Sequence, residues 1–225
     1  CGINLAGPAS RAILAKLCPQ ADLTAQGFGF MRTRTIDVAG ARSIVMRVGF
    51  LGELSYEIHV PASRAASVHD LLLEAGQPEG LVPIGVEAQR LLRLEKGHLI
   101  VGQDTDGVTT PDEAGMGWAV ALDKPFFVGQ RALRVRGVQP RERVLVCWRA
   151  APGADVPVAE GHLVLHQGQI AGHVTSVGRS AALGATLGMA FAAPESATPG
   201  AMITIKGEGG VLVAVLGAML LEKEA

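Results

Sequence analysis

Four acidic residues fall within one short stretch, GQDTDGVTTPDEAGMGW (residues 102–118), where they could bind a metal ion or act as acid and base. An EF-hand calcium loop starting at Asp104 needs an oxygen ligand at its fifth position and Gly at its sixth. The chain instead has Val108 at the fifth position and Gly107 at the fourth. Two carboxylates as close as Asp104 and Asp106 would also resist joint ionisation. The spacing excludes this calcium loop and disfavours an acid–base pair.

Thr110-Pro111-Asp112-Glu113, in the same stretch, has the residue types of a helix start. Thr is a favoured N-cap residue, Pro is favoured at the first helical position, and acidic residues suit the first turn. We therefore predict that most of these acids cap turns and helix starts.

Other familiar chemical motifs are missing from the sequence. His162 and His166 are the two closest histidines, and on a strand an i, i+4 pair lies more than ~13 Å apart, so we expect no metal site. There is no G-x-S-x-G nucleophile motif and no glycine-rich phosphate loop after a strand. Cys1, Cys18 and Cys147 are widely spaced and odd in number, which predicts a reducing, cytoplasmic setting without disulfides.

Glu57 lies in ELSYEIHVP, where alternation puts Tyr56, Ile58 and Val60 on one face of a strand and Glu57 and His59 on the other. One interpretation of this second face is ordinary solvation. The other is a ligand site, because a carboxylate on rigid β-structure can accept two parallel N–H groups from a planar heterocycle such as a pterin.

The composition limits the classes of partner. Of 225 residues, 48% are hydrophobic and 18% charged, and 20 basic against 21 acidic residues give a net charge of −1, so a globular protein without a nucleic-acid partner is expected. The longest nearly uncharged run, residues 211–221, is shorter than the roughly 20 residues that cross a bilayer, so no membrane segment is expected. Because the chain begins with Cys1, we interpret it as a fragment or a processed product.

The elements that must position these residues follow from periodicity. The amino-terminal part of the sequence predicts a short strand and then a helix that ends at Pro19. Strands follow over 30–38 and within 43–60, joined by a turn at Ala39-Gly40-Ala41. Two further helices are predicted, one over 62–75 capped by Ser63 and Gly76 and one closed by Gly97. A further helix is predicted in the last part of FVGQRALRVRG (residues 127–137). Beyond it, short alternating strands separated by Gly or Pro are typical of a small barrel.

The fold class expected is therefore α+β. We predict a ferredoxin-like α+β subdomain over residues 1–137, with its helices on one face of the sheet, followed by a small antiparallel β-barrel over residues 138–225.

Several separate motifs, in order along the chain, carry a resemblance to a known family. They are LAGPASRAIL, GFLGELSYEIHVP, GVEAQRLLRLEKGHLIVGQDTDGVTTPDEAGMGWAV and FVGQRAL. Together they resemble the folate-binding aminomethyltransferases, which include the glycine cleavage T-protein, dimethylglycine-oxidising enzymes and the sarcosine oxidase α subunit. The wording GQDTDGVTTPDEAGM, together with Phe50, is most similar to the carboxyl-terminal region of the sarcosine oxidase α subunit.

The resemblance implies a tetrahydrofolate site that accepts a one-carbon unit from oxidised sarcosine to form 5,10-methylenetetrahydrofolate. A flavin on another domain or subunit would carry out the oxidation. The resemblance also implies that Glu57 holds the pterin through paired hydrogen bonds, with Phe50, Tyr56 and Gln89 at the same site, and that the loop of Asp104 and Asp106 shapes a corner near the folate.

Two departures from the family pattern matter. Gln89 stands where the family commonly has a folate-contacting Arg, and the family's catalytic Asp belongs to an amino-terminal subdomain that precedes these motifs, so the catalytic residue is unknown. Two alternatives therefore stay open. The chain could be a non-catalytic scaffold or subunit-interaction fragment, or a stand-alone T-protein-like aminomethyltransferase that works with a lipoyl carrier.

Overall fold

The computed structural model of the chain describes residues 1–154 and 156–217. Its contacts divide the chain into two compact units, Cys1–Leu92 and a second unit that begins at Arg93. The first unit is a four-stranded sheet with helices, and the second contains a closed barrel of six strands. The α+β class and the barrel are therefore confirmed. The domain boundary at residue 137 stays a prediction.

The sheet of the first unit is antiparallel and has the strand order β1-β4-β3-β2. Its strands are β1 (Gly2–Ala6), β2 (Thr33–Val38), β3 (Ala41–Met46) and β4 (Ser55–His59). The β2–β3 hairpin turns at Ala39 and Gly40, with φ of 50° and 76°. Two positive φ values in a two-residue turn match the twist of the flanking strands, so the Ala-Gly signal correctly located this hairpin.

Helices α1 (Ser10–Leu17) and α2 (Ala65–Gly76) belong to the same hydrophobic core as one face of the sheet. Each helix contributes residues at helical spacing, Ile13 and Leu14 from α1 and Val68 and Leu72 from α2. The sheet contributes Tyr56 and other alternate residues of its strands. Both helices therefore lie on the Tyr56 face of the sheet, as the predicted layering requires.

The predicted caps of α2 were wrong. A 3₁₀ turn, Ala62–Arg64, precedes the helix, so its N-cap is Arg64, which makes no side-chain capping bond, and not Ser63. Gly76 is a helical residue with φ of −89°, and the left-handed residue is Gly80, after a second short 3₁₀ turn. Short 3₁₀ turns at both ends moved the boundaries, which periodicity locates poorly.

Helix α3 (Val86–Glu95) ends as predicted at Gly97, whose φ is 72°. The Gly97 N–H donates to the Leu94 carbonyl at 3.0 Å and the His98 N–H donates to the Arg93 carbonyl at 2.9 Å. This pair of bonds is a Schellman motif, which needs the left-handed conformation that glycine adopts freely. Helix α4 (Gln130–Gly137) follows later in the second unit.

The barrel is antiparallel throughout and closes in the order β10-β5-β8-β7-β6-β9. Its strands are β5 (Val144–Ala150), β6 (Leu163–His166), β7 (Gln169–Ser180), β8 (Ala185–Ala192), β9 (Met202–Gly207) and β10 (Gly210–Gly217). Trp148 is fully buried in its core. A Cβ added at Gly188 would overlap the Trp148 ring and the Ser176 carbonyl oxygen, so glycine permits this close approach.

Within residues 1–154 and 156–217, no helix is long and apolar enough to cross a membrane. The last part of the uncharged run at 211–221 lies outside the described residues.

Candidate functional site

Glu57 lies in the middle of β4, between two neighbouring strands. Its register partners are Asn4 on β1 and Met46 on β3. The Glu57 side chain is 36% exposed, whereas Tyr56 and Ile58 on either side of it are fully buried. The predicted alternation is confirmed, and the carboxylate projects from a strand whose backbone is fixed on both sides.

The face that Glu57 shares with its neighbours is polar near the carboxylate. Glu57 Oε2 lies 3.4 Å from His59 Nε2, and next along the strand the Ser55 hydroxyl donates to Asn4 Oδ1 at 3.0 Å. Ile44, the register partner of His59, is 52% exposed. The carboxylate thus lies among polar side chains and the exposed side chain of Ile44, and it remains accessible to solvent.

Tyr56 faces the opposite side of β4, inside the core. Its ring centroid lies 5.9 Å from that of Phe28, and its hydroxyl accepts a hydrogen bond from Arg11 Nε at 3.3 Å. Successive residues of a strand point to opposite faces, so Tyr56 and Glu57 do not share a surface. Tyr56 can fix the position of β4 from below, and direct contact with a ligand held by Glu57 would require it to leave the core.

Phe50 and Gln89 lie on other elements of the first unit. Phe50 is half-buried in the connection between β3 and β4, just before Gly52, whose φ is 75°. Gln89 is half-buried on α3, where its N–H donates to the Gly85 carbonyl at 3.2 Å. Both side chains retain exposed surface, so their assignment to the site stays a prediction.

Asp104, in the acidic loop, is a fully buried hub in the second unit. Its Oδ2 accepts hydrogen bonds from Arg93 at 2.6 Å and from the Ile100 N–H at 2.8 Å. Its Oδ1 accepts from the hydroxyls of Thr175 at 2.6 Å and Ser176 at 2.5 Å. Four donors occupy this carboxylate, which supports the prediction that Asp104 shapes a corner.

Sequence reasoning missed the partners of Asp104. Arg93 is 1% exposed, and it also donates to the His98 carbonyl at 2.9 Å and to Ser176 at 2.8 Å. Thr175 and Ser176 lie on β7, more than seventy residues beyond Asp104. The one local signal was Arg93 itself, a cation on the apolar side of the α3 pattern, since a buried arginine requires an anion.

Asp106 forms an exposed turn. Its Oδ1 accepts from the Val108 N–H at 3.0 Å, from the Thr109 N–H at 2.7 Å and from the Thr109 hydroxyl at 2.6 Å, and Arg143 donates to both carboxylate oxygens at 3.0 Å. The Thr109 hydroxyl first, and then Arg143, hold the pKa of Asp106 far below its usual range. This carboxylate is ionised and engaged in a corner, so it is a poor proton donor.

The predicted helix start at Thr110 is only partly present. The Thr110 N–H donates to Glu113 Oε2 at 2.8 Å and the Glu113 N–H donates to the Thr110 hydroxyl at 3.3 Å, the reciprocal pair of a capping box. Residues 111–115 nevertheless form turns, not an α-helix. Gly115 has φ of 69° and ends the first turn before a helix can propagate.

The remaining reactive groups give no second site in the described ranges 1–154 and 156–217. No group of three or more His, Cys, Asp or Glu side chains there could hold a metal ion. Burial raises the pKa of the Cys18 thiol to about 11. Burial, and then the Asp104 carboxylate, raise the pKa of Cys147 to about 11 against the opposing effect of Arg93. Neither thiol is an activated nucleophile.

Comparison with known proteins assigns the family. The sequence profile described as the GCVT N-terminal domain matches residues 1–124, and that of the glycine cleavage T-protein C-terminal barrel domain matches residues 143–219. An aminomethyltransferase from Halothermothrix orenii is 37% identical over 90% of this chain and 56% of its own length. A sarcosine oxidase subunit alpha from Corynebacterium sp. is 36% identical over 84% of this chain and 20% of its own length.

The fold is also that of a solved relative. The crystal structure of glycine cleavage system aminomethyltransferase T from Bartonella henselae superposes with a TM-score of 0.80 at 23% identity, over 95% of this chain and 57% of that one. This chain thus spans 56% of the length of the Halothermothrix orenii protein and 20% of the length of the Corynebacterium protein. The family indicated by the sequence motifs is confirmed: the chain belongs to the glycine cleavage T-protein family of aminomethyltransferases.

Proposed function

We propose that this chain is the tetrahydrofolate-binding region of a sarcosine oxidase α-like protein. In the proposed reaction, oxidised sarcosine, an imine, passes its one-carbon unit to N5 and N10 of tetrahydrofolate, which releases glycine and gives 5,10-methylenetetrahydrofolate. The flavin that the oxidation requires would be held by another domain or subunit. Family membership and the similarity to sarcosine oxidase subunit alpha over 84% of the chain support this proposal.

The observation that carries the proposal is the setting of Glu57. The two oxygens of an ionised carboxylate match two parallel N–H donors, such as those on the amino-pyrimidinone edge of a pterin. Between Asn4 and Met46, over a core that contains Tyr56, the Glu57 carboxylate is fixed at its base and accessible at its tip. Binding to a fixed group costs less conformational entropy than binding to a mobile one.

In this proposal the four predicted site residues have different parts. Glu57 binds the pterin, and Tyr56 positions β4 from the core. Phe50 supplies an aromatic surface for the flat ring, and Gln89 supplies an uncharged amide where an arginine would add charge. Aromatic rings and a few placed polar groups are the usual lining of a small-molecule site.

The experiment compares tetrahydrofolate affinity in Glu57→Gln and in the matched control Glu74→Gln. Both changes remove one carboxylate from the first unit, but Glu74 is exposed on α2, which packs on the opposite face of the sheet. A hydrogen bond to a charged group contributes roughly 1.5–3 kcal/mol, so we expect Kd to rise about 10- to 100-fold in Glu57→Gln. Anaerobic calorimetry on the complete natural polypeptide that contains this chain is the measurement.

Equal affinities in wild type, Glu57→Gln and Glu74→Gln would refute the role of Glu57. Absence of tetrahydrofolate binding in the wild type would refute the proposed function itself and favour the scaffold alternative.

A second function, that of a T-protein-like aminomethyltransferase, is favoured by the 37% identity to the Halothermothrix orenii protein. The two functions share the acceptor and differ in the donor. Formation of methylenetetrahydrofolate from an aminomethyl-lipoyl carrier, without sarcosine oxidation, would select this second function.

A further inference from the structure

His59 contacts the carboxylate of Glu57 on the open face of the sheet. His59 Nε2 lies 3.4 Å from Glu57 Oε2, and the two side chains are 44% and 36% exposed. The residues are two apart on β4, so both side chains project from the same face. Any ligand that Glu57 binds on this face therefore meets the imidazole as well.

The imidazole lies between uncharged neighbours on the flanking strands. Its register partners are Gly2 on β1 and Ile44 on β3. A Cβ added to Gly2 would lie 3.6 Å from His59 Cε1 and 3.7 Å from Nδ1, so the ring lies beside the Gly2 backbone. Asn4, the register partner of Glu57 on β1, is also uncharged. The flanking residues thus bring no charge against the ring.

The other charged groups around this face have partners of their own. The amino group of Cys1, just before β1, donates to a backbone carbonyl at 2.9 Å. Arg42 lies at the start of β3, and its register partner on β2 is Asp37. Residues directly opposite in a ladder lie closer together than diagonal ones, so Asp37 opposes the charge of Arg42 first. A charge on His59 therefore acts chiefly on Glu57.

We propose that the charge of His59 sets the ligand affinity of the Glu57 carboxylate. Neutral His59 leaves both carboxylate oxygens to the two parallel N–H groups of the ligand, whereas protonated His59 competes with those groups. The inference rests on the proposed function, because it concerns the same carboxylate and the same ligand.

Two physical effects act in the same direction. An imidazolium pairs with a carboxylate by a charge-assisted hydrogen bond, and its charge repels the positive ends of the ligand N–H groups. A ligand seated over Glu57 also removes water from the adjacent ring, which costs more for a charged ring than for a neutral one. Histidine ordinarily changes its charge between about pH 5 and pH 8, so the affinity should fall as the pH falls through that range.

The test measures tetrahydrofolate binding by anaerobic calorimetry on the complete natural polypeptide that contains this chain. Wild type, His59→Gln and the matched control His69→Gln are compared at about pH 5.5 and about pH 8. His69 forms a second exposed histidine–carboxylate pair, in which its Nδ1 lies 3.1 Å from Asp70 Oδ1, on α2 at the opposite face of the sheet. Glutamine retains an N–H donor and carries no charge.

We expect acidification to raise Kd about two- to fivefold more in wild type and in His69→Gln than in His59→Gln, the factor that an exposed ion pair of ordinary strength gives. Titration of tetrahydrofolate itself is common to all three proteins and cancels in the comparison. Calorimetry near pH 6.5 in buffers of different ionisation enthalpy counts the protons released on binding. Wild type should release more protons than His59→Gln, because the ligand selects the neutral imidazole.

The same pH dependence in wild type and His59→Gln, with tetrahydrofolate still bound and still weakened by Glu57→Gln, would overturn the role of His59 and leave the proposed function standing. An equal loss of pH dependence in His69→Gln would also overturn it. Absence of tetrahydrofolate binding in wild type at both pH values would instead refute the proposed function. His59→Asn serves as the second variant and must show the same loss of pH dependence as His59→Gln.

Discussion

Replacement of Asp104 by Asn tests whether the acidic loop is structural. The carboxylate is fully buried and receives four hydrogen bonds, one of them from Arg93, which is itself buried. Asn keeps the shape of Asp but removes the charge and turns one acceptor into a donor. The Thr175 and Ser176 hydroxyls can rotate to accept from the new amide, whereas Arg93 cannot lose its proton.

The magnitude follows from the charge that remains. An unpaired buried cation costs about 3–5 kcal/mol. Domain stabilities are typically about 5–15 kcal/mol, so Asp104→Asn should remove at least about a fifth of the stability of the second unit. Urea unfolding followed by circular dichroism is the assay, with Asp123→Asn, an exposed carboxylate in a turn of the same unit, as the matched control. That control should change the free energy of unfolding by less than about 0.5 kcal/mol.

A double substitution separates the effect of the lost charge from the effect of the changed side-chain volume. Arg93→Met with Asp104→Leu removes both charges and keeps apolar volume, so it should be more stable than Asp104→Leu alone. A loss below about 1 kcal/mol in Asp104→Asn would refute the structural role. The carboxylate would then be free to act in ligand binding or chemistry.

Two further predictions concern turns. Because hydrogen bonds from Thr109 and Arg143 hold the pKa of Asp106 below its ordinary value of about 4, its stabilising contribution is present above that pH and is lost as the pH falls toward the lowered pKa. Urea midpoints at about pH 5 and about pH 3 should therefore differ more in wild type than in Asp106→Asn, and equal differences would contradict this. Ala39→Asn should raise the free energy of unfolding by up to about 1 kcal/mol, because Asn tolerates the φ of 50° better than Ala; a lower value would exclude a left-handed turn.

Local signals predicted the parts of the fold that local chemistry decides. The Ala39-Gly40 turn, the glycine that ends α3 and the alternation around Glu57 each depend on a few consecutive residues. The predictions of the α2 caps and of a helix after Thr110 were wrong, because the chain forms 3₁₀ turns at the ends of α2 and a single capped turn after Thr110. Propensity is a weak guide where the chain must change direction.

Hydrogen bonds between residues far apart in the sequence could not be predicted from it. The bonds from Thr175 and Ser176 to Asp104 span more than seventy residues, and the Ser180 hydroxyl donates to the buried Glu95 across eighty-five. Nothing in the barrel pattern distinguishes these hydroxyls from solvent-facing ones until β7 is paired with β8 in register. Family resemblance predicts a role for Glu57 because its motif is contiguous, and it makes no prediction for the buried Asp104 cluster, which forms only when the barrel closes.

Asp104 and Glu57 both lie in recognisable motifs, but their surroundings differ in how readily each carboxylate could bind a ligand. A carboxylate whose lone pairs are all occupied by fixed donors, as at Asp104, can bind a ligand only by first breaking bonds in a region from which water is excluded. In the proposed site Glu57 would exchange water for ligand, because its described polar contact is the 3.4 Å approach of His59. Ligand binding there would remove water from a carboxylate that is only half-exposed, and hydrogen bonds from two N–H donors can offset the free energy of that desolvation. For this reason the affinity of Glu57→Gln, and not that of Asp104→Asn, tests the ligand assignment.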